Sequence, residues 1–224
     1  MNYTGLFGKL PAHGDFISRR LPQSFISVWD EWLQCSVAGS QEILGESWLD
    51  IFLTSPIWRF VLRPGAIDGR AWAGILVPSV DSVGRYFPLT LARSVDNSTD
   101  VLNFISHQSA WFSAMESAAM SALQEQMNAD QILVLINEFE VESLLKDGVS
   151  CKGESSLLSN GSRVMTGGSF AAQFIELIKE YEDFSGSIGV WACTETESFP
   201  AQTLLRKGLP DTGEYTGMIN GRFD

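Results

Sequence analysis

The residues able to do chemistry gather in two short segments. Gly5-Leu6-Phe7-Gly8-Lys9-Leu10-Pro11-Ala12-His13-Gly14-Asp15-Phe16 sets a lysine and a His-x-Asp pair among three glycines. Pro78-Ser79-Val80-Asp81-Ser82-Val83-Gly84-Arg85-Tyr86-Phe87-Pro88-Leu89 brackets a serine, an acid and a base between prolines. A histidine oriented by a carboxylate is the usual general base. His13 and Asp15, with Ser79 or Asp81, therefore define one reading: a small-molecule hydrolase. The competing reading is a turn in which Asp15 accepts backbone amides.

Other chemistries fail on spacing. A phosphate-cradling loop needs Gly-x-x-x-x-Gly-Lys-Ser/Thr, whereas Lys9 precedes Leu10, and Gly-x-Gly-x-x-Gly is not met either. The two histidines, His13 and His107, cannot make a histidine-rich metal site, and Glu138, Glu140 and Glu142 lack the loop of an EF-hand. Cys35, Cys151 and Cys193 are odd in number without CxxC spacing, which argues against disulfides and zinc; Cys35 and Cys193 read as buried hydrophobes. No metal or cofactor is expected. Asp81 and Arg85, four apart, suit an ion pair that shapes the loop, while Arg85 and Tyr86 are residue types favoured at interfaces. In Trp58-Arg59, strand alternation places Trp58 in the core and Arg59 on the opposite face. The candidate partner-binding residues are Lys9, His13, Asp15, Arg59, Asp81, Arg85 and Tyr86.

Several elements must position these side chains. Phe25, Trp29, Trp32, Leu33, Val37 and Leu44 recur at helical intervals over 24–44, with Gly45 as the stop. Short apolar runs predict strands at 57–62, 71–77 and 86–91, with Pro88 suited to an edge or bulge. Helices are predicted over 101–127, 130–145 and from Ser169 to Tyr181, a strand over 187–193, and a short helix near 215–219. Residues 147–168 lose periodicity and read as a surface excursion on which little stability depends. Helices interspersed with apolar strands predict an α/β chain with helices on both sheet faces.

The chain has 224 residues, 45% of them apolar, enough for the single domain expected over 1–224. No run approaches the roughly 20 apolar residues of a membrane span and no secretory leader is evident, so a cytoplasmic protein is expected. Net charge is −12, yet residues 1–93 carry eight basic and eight acidic side chains, leaving the whole excess beyond residue 93. An acidic chain repels phosphate backbones and anionic lipid, which disfavours nucleic-acid and membrane partners.

At Gly5-x-Phe7-Gly8-Lys9-Leu10-Pro11, Gly14-Asp15-Phe16, Trp29-Asp30-x-Trp32-Leu33, Pro56-x-Trp58-Arg59-Phe60 and Pro78 to Leu89, the sequence resembles the TagF family of bacterial type VI secretion-associated proteins. Trp191 and Gly208-Leu209-Pro210 extend the likeness weakly. The resemblance implies an α/β/α sandwich, and the fold expected is a three-layer α/β/α sandwich with a mixed central sheet. It implies a non-enzymatic, cytoplasmic, post-translational repressor of the type VI secretion system, acting through a forkhead-associated scaffold protein. Some relatives carry a fused metal-dependent phosphatase, and at 224 residues this chain is expected to be too short to hold that second domain as well. The resemblance supplies no catalytic residues.

Overall fold

A computed structural model of the chain describes residues 4–99, 104–105, 107–137, 154–158, 162–166 and 186–223. β1 (Gly5–Gly8) and β2 (Ile17–Arg19) lead into α1 (Gln23–Leu44), a 3-10 turn (Gly45–Ser47) and α2 (Trp48–Thr54). β3 (Trp58–Leu62), β4 (Ala71–Val77) and β5 (Leu89–Val95) are followed by α3 (Ser109–Gln124) and α4 (Ala129–Asn137). Then come β6 (Glu154–Leu157), β7 (Arg163–Thr166), β8 (Ile188–Cys193), β9 (Gln202–Lys207) and α5 (Thr212–Asn220).

One nine-stranded sheet runs β2-β1-β5-β4-β3-β8-β9-β7-β6. Every described pairing is antiparallel, where a mixed sheet was expected. Near-continuous apolar strands are usual where helices cover both faces, most often in parallel sheets; here both faces of an antiparallel sheet are covered and the same pattern results. The β3–β8 pair, with Phe60 opposite Trp191, joins the early strands to the late ones.

Alternation along each strand feeds two cores. Trp58, Phe60, Leu62, Trp72 and Trp191 pack with α1, α2 and α5, whereas Val61, Ala73, Ile75, Val190 and Ala192 pack with α3 and α4. The first core is strongly aromatic. Trp29 stacks against Trp191 at 5.9 Å and leans on Phe60 at 4.9 Å, while its indole N–H donates to Thr90 Oγ1 at 2.8 Å. A buried indole with a satisfied N–H combines a large apolar area with fixed orientation.

α1 stops at Gly45, whose φ of +56° suits a glycine, but the chain re-enters helix at once as the 3-10 turn and α2. α5 starts with a capping box between Asp211 and Glu214. The third early strand begins at Leu89 and not at Tyr86, because Pro88 has no amide to give the ladder and precedes the strand. The β1–β2 hairpin and β9 were not anticipated, their runs being short and interrupted by glycine or polar residues. Within 147–168, β6 and β7 form a hairpin that extends the sheet, and Val164 and Met165 are buried, so this segment is more than a surface excursion. Cys35 is exposed, contrary to expectation, because it falls off the α1 stripe of Phe25, Trp29, Leu33 and Val37; Cys193 is buried. The predicted helix from Ser169 to Tyr181, residues 138–145, and Cys151 lie outside the described residues. No described helix is long and apolar enough to cross a membrane.

Candidate functional site

The segment between β4 and β5 folds on one carboxylate. Val80 and Tyr86 form an antiparallel bridge, the Phe87 amide donates to Ser79 O at 3.0 Å, and the Asp81 amide donates to Arg85 O at 3.0 Å. Gly84, at φ +84°, closes the turn in a conformation disfavoured for other residues. Asp81 Oδ1 accepts the amides of Val83 and Arg85 at 3.1 and 2.9 Å. Its Oδ2 accepts Lys9 Nζ at 2.8 Å and Arg85 Nε at 2.7 Å. Burial works to raise the pKa of this carboxyl, but the Lys9 ammonium, the Arg85 amide and guanidinium and the Val83 amide outweigh it. The group is held well below the usual carboxylate range.

The β1–β2 connection is tied to this turn at four points. Ser79 Oγ donates to Lys9 O at 2.7 Å, the Ser82 amide to His13 O at 2.9 Å, and Arg85 Nη2 to Gly14 O at 2.5 Å. The fourth is the Lys9–Asp81 bond, its two side chains 5% and 0% exposed. Gly8 is required for the approach: at φ +131°, an added Cβ would collide with the Pro88 carbonyl. Phe16 lies edge-on to Phe87 at 4.8 Å and stacks on Phe7 at 6.1 Å, with Lys9 Nζ 5.0 Å from its ring. A third element joins them, since the Ala129 amide at the start of α4 donates to His13 Nε2 at 3.2 Å.

These bonds bring Lys9, His13, Asp15, Asp81 and Arg85 onto one pair of loops, yet they do not make a triad. Ser79 is buried with its hydroxyl proton directed to Lys9 O, and Asp15 accepts the Phe16 amide at 2.8 Å. No hydrogen bond joins His13 to either. Tyr86 is half-buried against Trp48 and Phe52. Arg59 lies elsewhere, on the α3 side of β3, where it forms a bidentate pair with Glu116 at 2.6 and 2.9 Å. Trp58 is in the opposite core, as alternation predicted. Among the described residues no group of three or more His, Cys, Asp or Glu side chains could hold a metal.

Two residues absent from the candidates stand out. Phe16 is 44% and Val83 66% exposed, one on each loop, although both are large and apolar. Their sequence signal was an apolar side chain beside turn-forming Asp15 and Gly84, where polar residues are the norm.

The chain matches the family model of the TagF N-terminal domain, type VI secretion system-associated, over residues 5–139. It belongs to the TagF N-terminal domain family. Both TagF loops and the α4 contact of His13 fall within the match. A crystal structure of PA0076 from Pseudomonas aeruginosa PAO1 is similar over nearly the whole length, at 30% identity and TM-score 0.76, covering 99% of this chain and 96% of that one. No curated protein matches it.

Proposed function

We propose that this TagF-family chain is a non-enzymatic, cytoplasmic regulator of type VI secretion: a post-translational repressor that binds a forkhead-associated scaffold protein through the paired loops. The observation that carries this reading is the exposure of Phe16 and Val83 on loops cross-linked by the buried Lys9–Asp81 bond. A pre-organised apolar pair loses little conformational freedom on binding, which favours a docking role. Arg85 lies beside them, half-exposed, and Tyr86 supports the turn from beneath. The commitment of Ser79, Asp81 and the His13 Nε2 to internal bonds supports binding over hydrolysis. The net charge of −12 supports a protein partner over nucleic acid or an anionic membrane. The frame we infer is a three-layer α/β/α sandwich, supported by the helices that pack against each face of the sheet.

The test is co-purification of the scaffold with tagged chain from cells running an active type VI system. Val83→Asp should leave the melting temperature unchanged and cut scaffold recovery by about tenfold, the loss of one buried apolar contact with a charge left in its place. Recovery equal to wild type with both Val83→Asp and Phe16→Ser would remove the loops from the interface. Deleting the gene should raise secretion; unchanged secretion would count against repression.

A further inference from the structure

A second surface shares no lining residue with the loops. A cleft of about 290 Å3 opens at the end of the molecule where α1, α2 and α5 terminate. Leu44, Thr54 and Asn220, the last residues of those three helices, all line it, and Ile51, Phe199 and Ile219 supply apolar wall. Ile43 and Leu53, next in sequence to Leu44 and Thr54, are 59% and 47% exposed. The volume approaches that of ligand pockets, which begin at about 300 Å3.

Charge identifies the occupant. A helix C-terminus carries a partial negative charge from its unpaired carbonyls, normally complemented by basic side chains in the last turn. None of these three helices has one there. Within four residues of the lining in sequence come Glu42 near the end of α1, Glu46 and Asp50 in the first turns of the 3-10 turn and α2, and Glu195 and Glu197, all exposed and, among the described residues, in no ion pair. Against them stands one base, Arg222 on the wall. A cleft with an apolar wall and acidic side chains in its flanking segments repels anions and suits an apolar residue flanked by lysine or arginine.

We propose that this cleft docks a basic amphipathic segment of a partner protein, with an apolar side chain between Phe199 and Ile51 and its cations facing the helix ends and the acidic flanking segments. The surface shares no residue with the loop pair.

The test is fluorescence anisotropy on the full chain with a fluorescein-labelled Lys/Leu amphipathic peptide. Glu46→Lys/Asp50→Lys should weaken binding by about tenfold or more, and Phe199→Ala by several-fold, the binding falling with added salt. Arg222→Glu should tighten binding by about threefold, since it removes the one opposing charge. The control is Glu31→Lys/Glu125→Lys, with the same change in net charge; Glu31 lies about 20 Å back along α1 and Glu125 follows α3. It should leave the dissociation constant within about twofold. Equal weakening by the control would show attraction to net charge alone and overturn the proposal. So would weaker binding by Arg222→Glu, no binding by the wild type, or complete displacement by spermine at matched charge, which would make the occupant a small polycation.

Discussion

Lys9 Nζ and Asp81 Oδ2 lie 2.8 Å apart with both side chains buried, although 72 residues separate them in the chain. Burying two charges is costly unless attraction and further hydrogen bonds offset it, and removing one partner strands the other. Asp81 has three additional donors from Val83 and Arg85, so the carboxylate holds both loops at once.

Asp81→Asn should therefore lower the melting temperature at pH 7, with Lys9 left without its anion. The carboxyl is depressed in the folded state from an ordinary value of 3.8, so its stabilisation is fully present above that value. It is lost as pH falls from about 4 toward the lower folded value. Melts of both proteins should show a steady gap from pH 7 to about 5 that narrows below about 4. A gap that stays constant down to pH 3 would mean that the charge of Asp81 is not what stabilises the loops.

The Arg59–Glu116 pair is asymmetric, its side chains 9% and 19% exposed. Glu116→Ala leaves the more deeply buried guanidinium unpaired and should cost about 2 kcal/mol in urea unfolding. Arg59→Met keeps the apolar packing of the stem and leaves Glu116 able to turn to water, at a cost of about 1 kcal/mol. The reverse order would refute this account.

Met165 is fully buried in β7, in the core shared with α3 and α4. Met165→Ala should destabilise by about 3 kcal/mol, the usual range for deleting a buried methionine side chain. A loss below about 0.5 kcal/mol, typical of surface positions, would restore the reading of 147–168 as dispensable.

Cys35 is exposed, whereas burial pushes the Cys193 thiol up to about 12. The thiolate is the reactive form, so iodoacetamide at pH 8 should alkylate Cys35 in the native chain and Cys193 only after unfolding. Peptide mapping separates these sites from Cys151. Native labelling of Cys193 would show that β8 opens readily.

Local spacing carried much of the fold. The three- and four-residue intervals of Phe25, Trp29, Leu33 and Val37 set the buried face of α1, and alternation at Trp58-Arg59 put the indole and the guanidinium on opposite sides of β3. The four-residue step from Asp81 to Arg85 also foretold their ion pair. Each is a relation between neighbours, in which backbone geometry alone decides which side chains share a face. The two loop segments, with their glycines and prolines, were likewise enough to identify the TagF family.

Tertiary structure alone decided the rest. Nothing near Lys9 in sequence announces Asp81, and nothing near His13 announces the first amide of α4. The antiparallel order of the sheet, the β6–β7 hairpin and the meeting of three helix ends at one cleft are equally non-local. Periodicity reports that a face is buried but not what buries it. That choice is made when distant strands pair and two cores close at once, because a strand satisfies its backbone hydrogen bonds only through other segments of the chain.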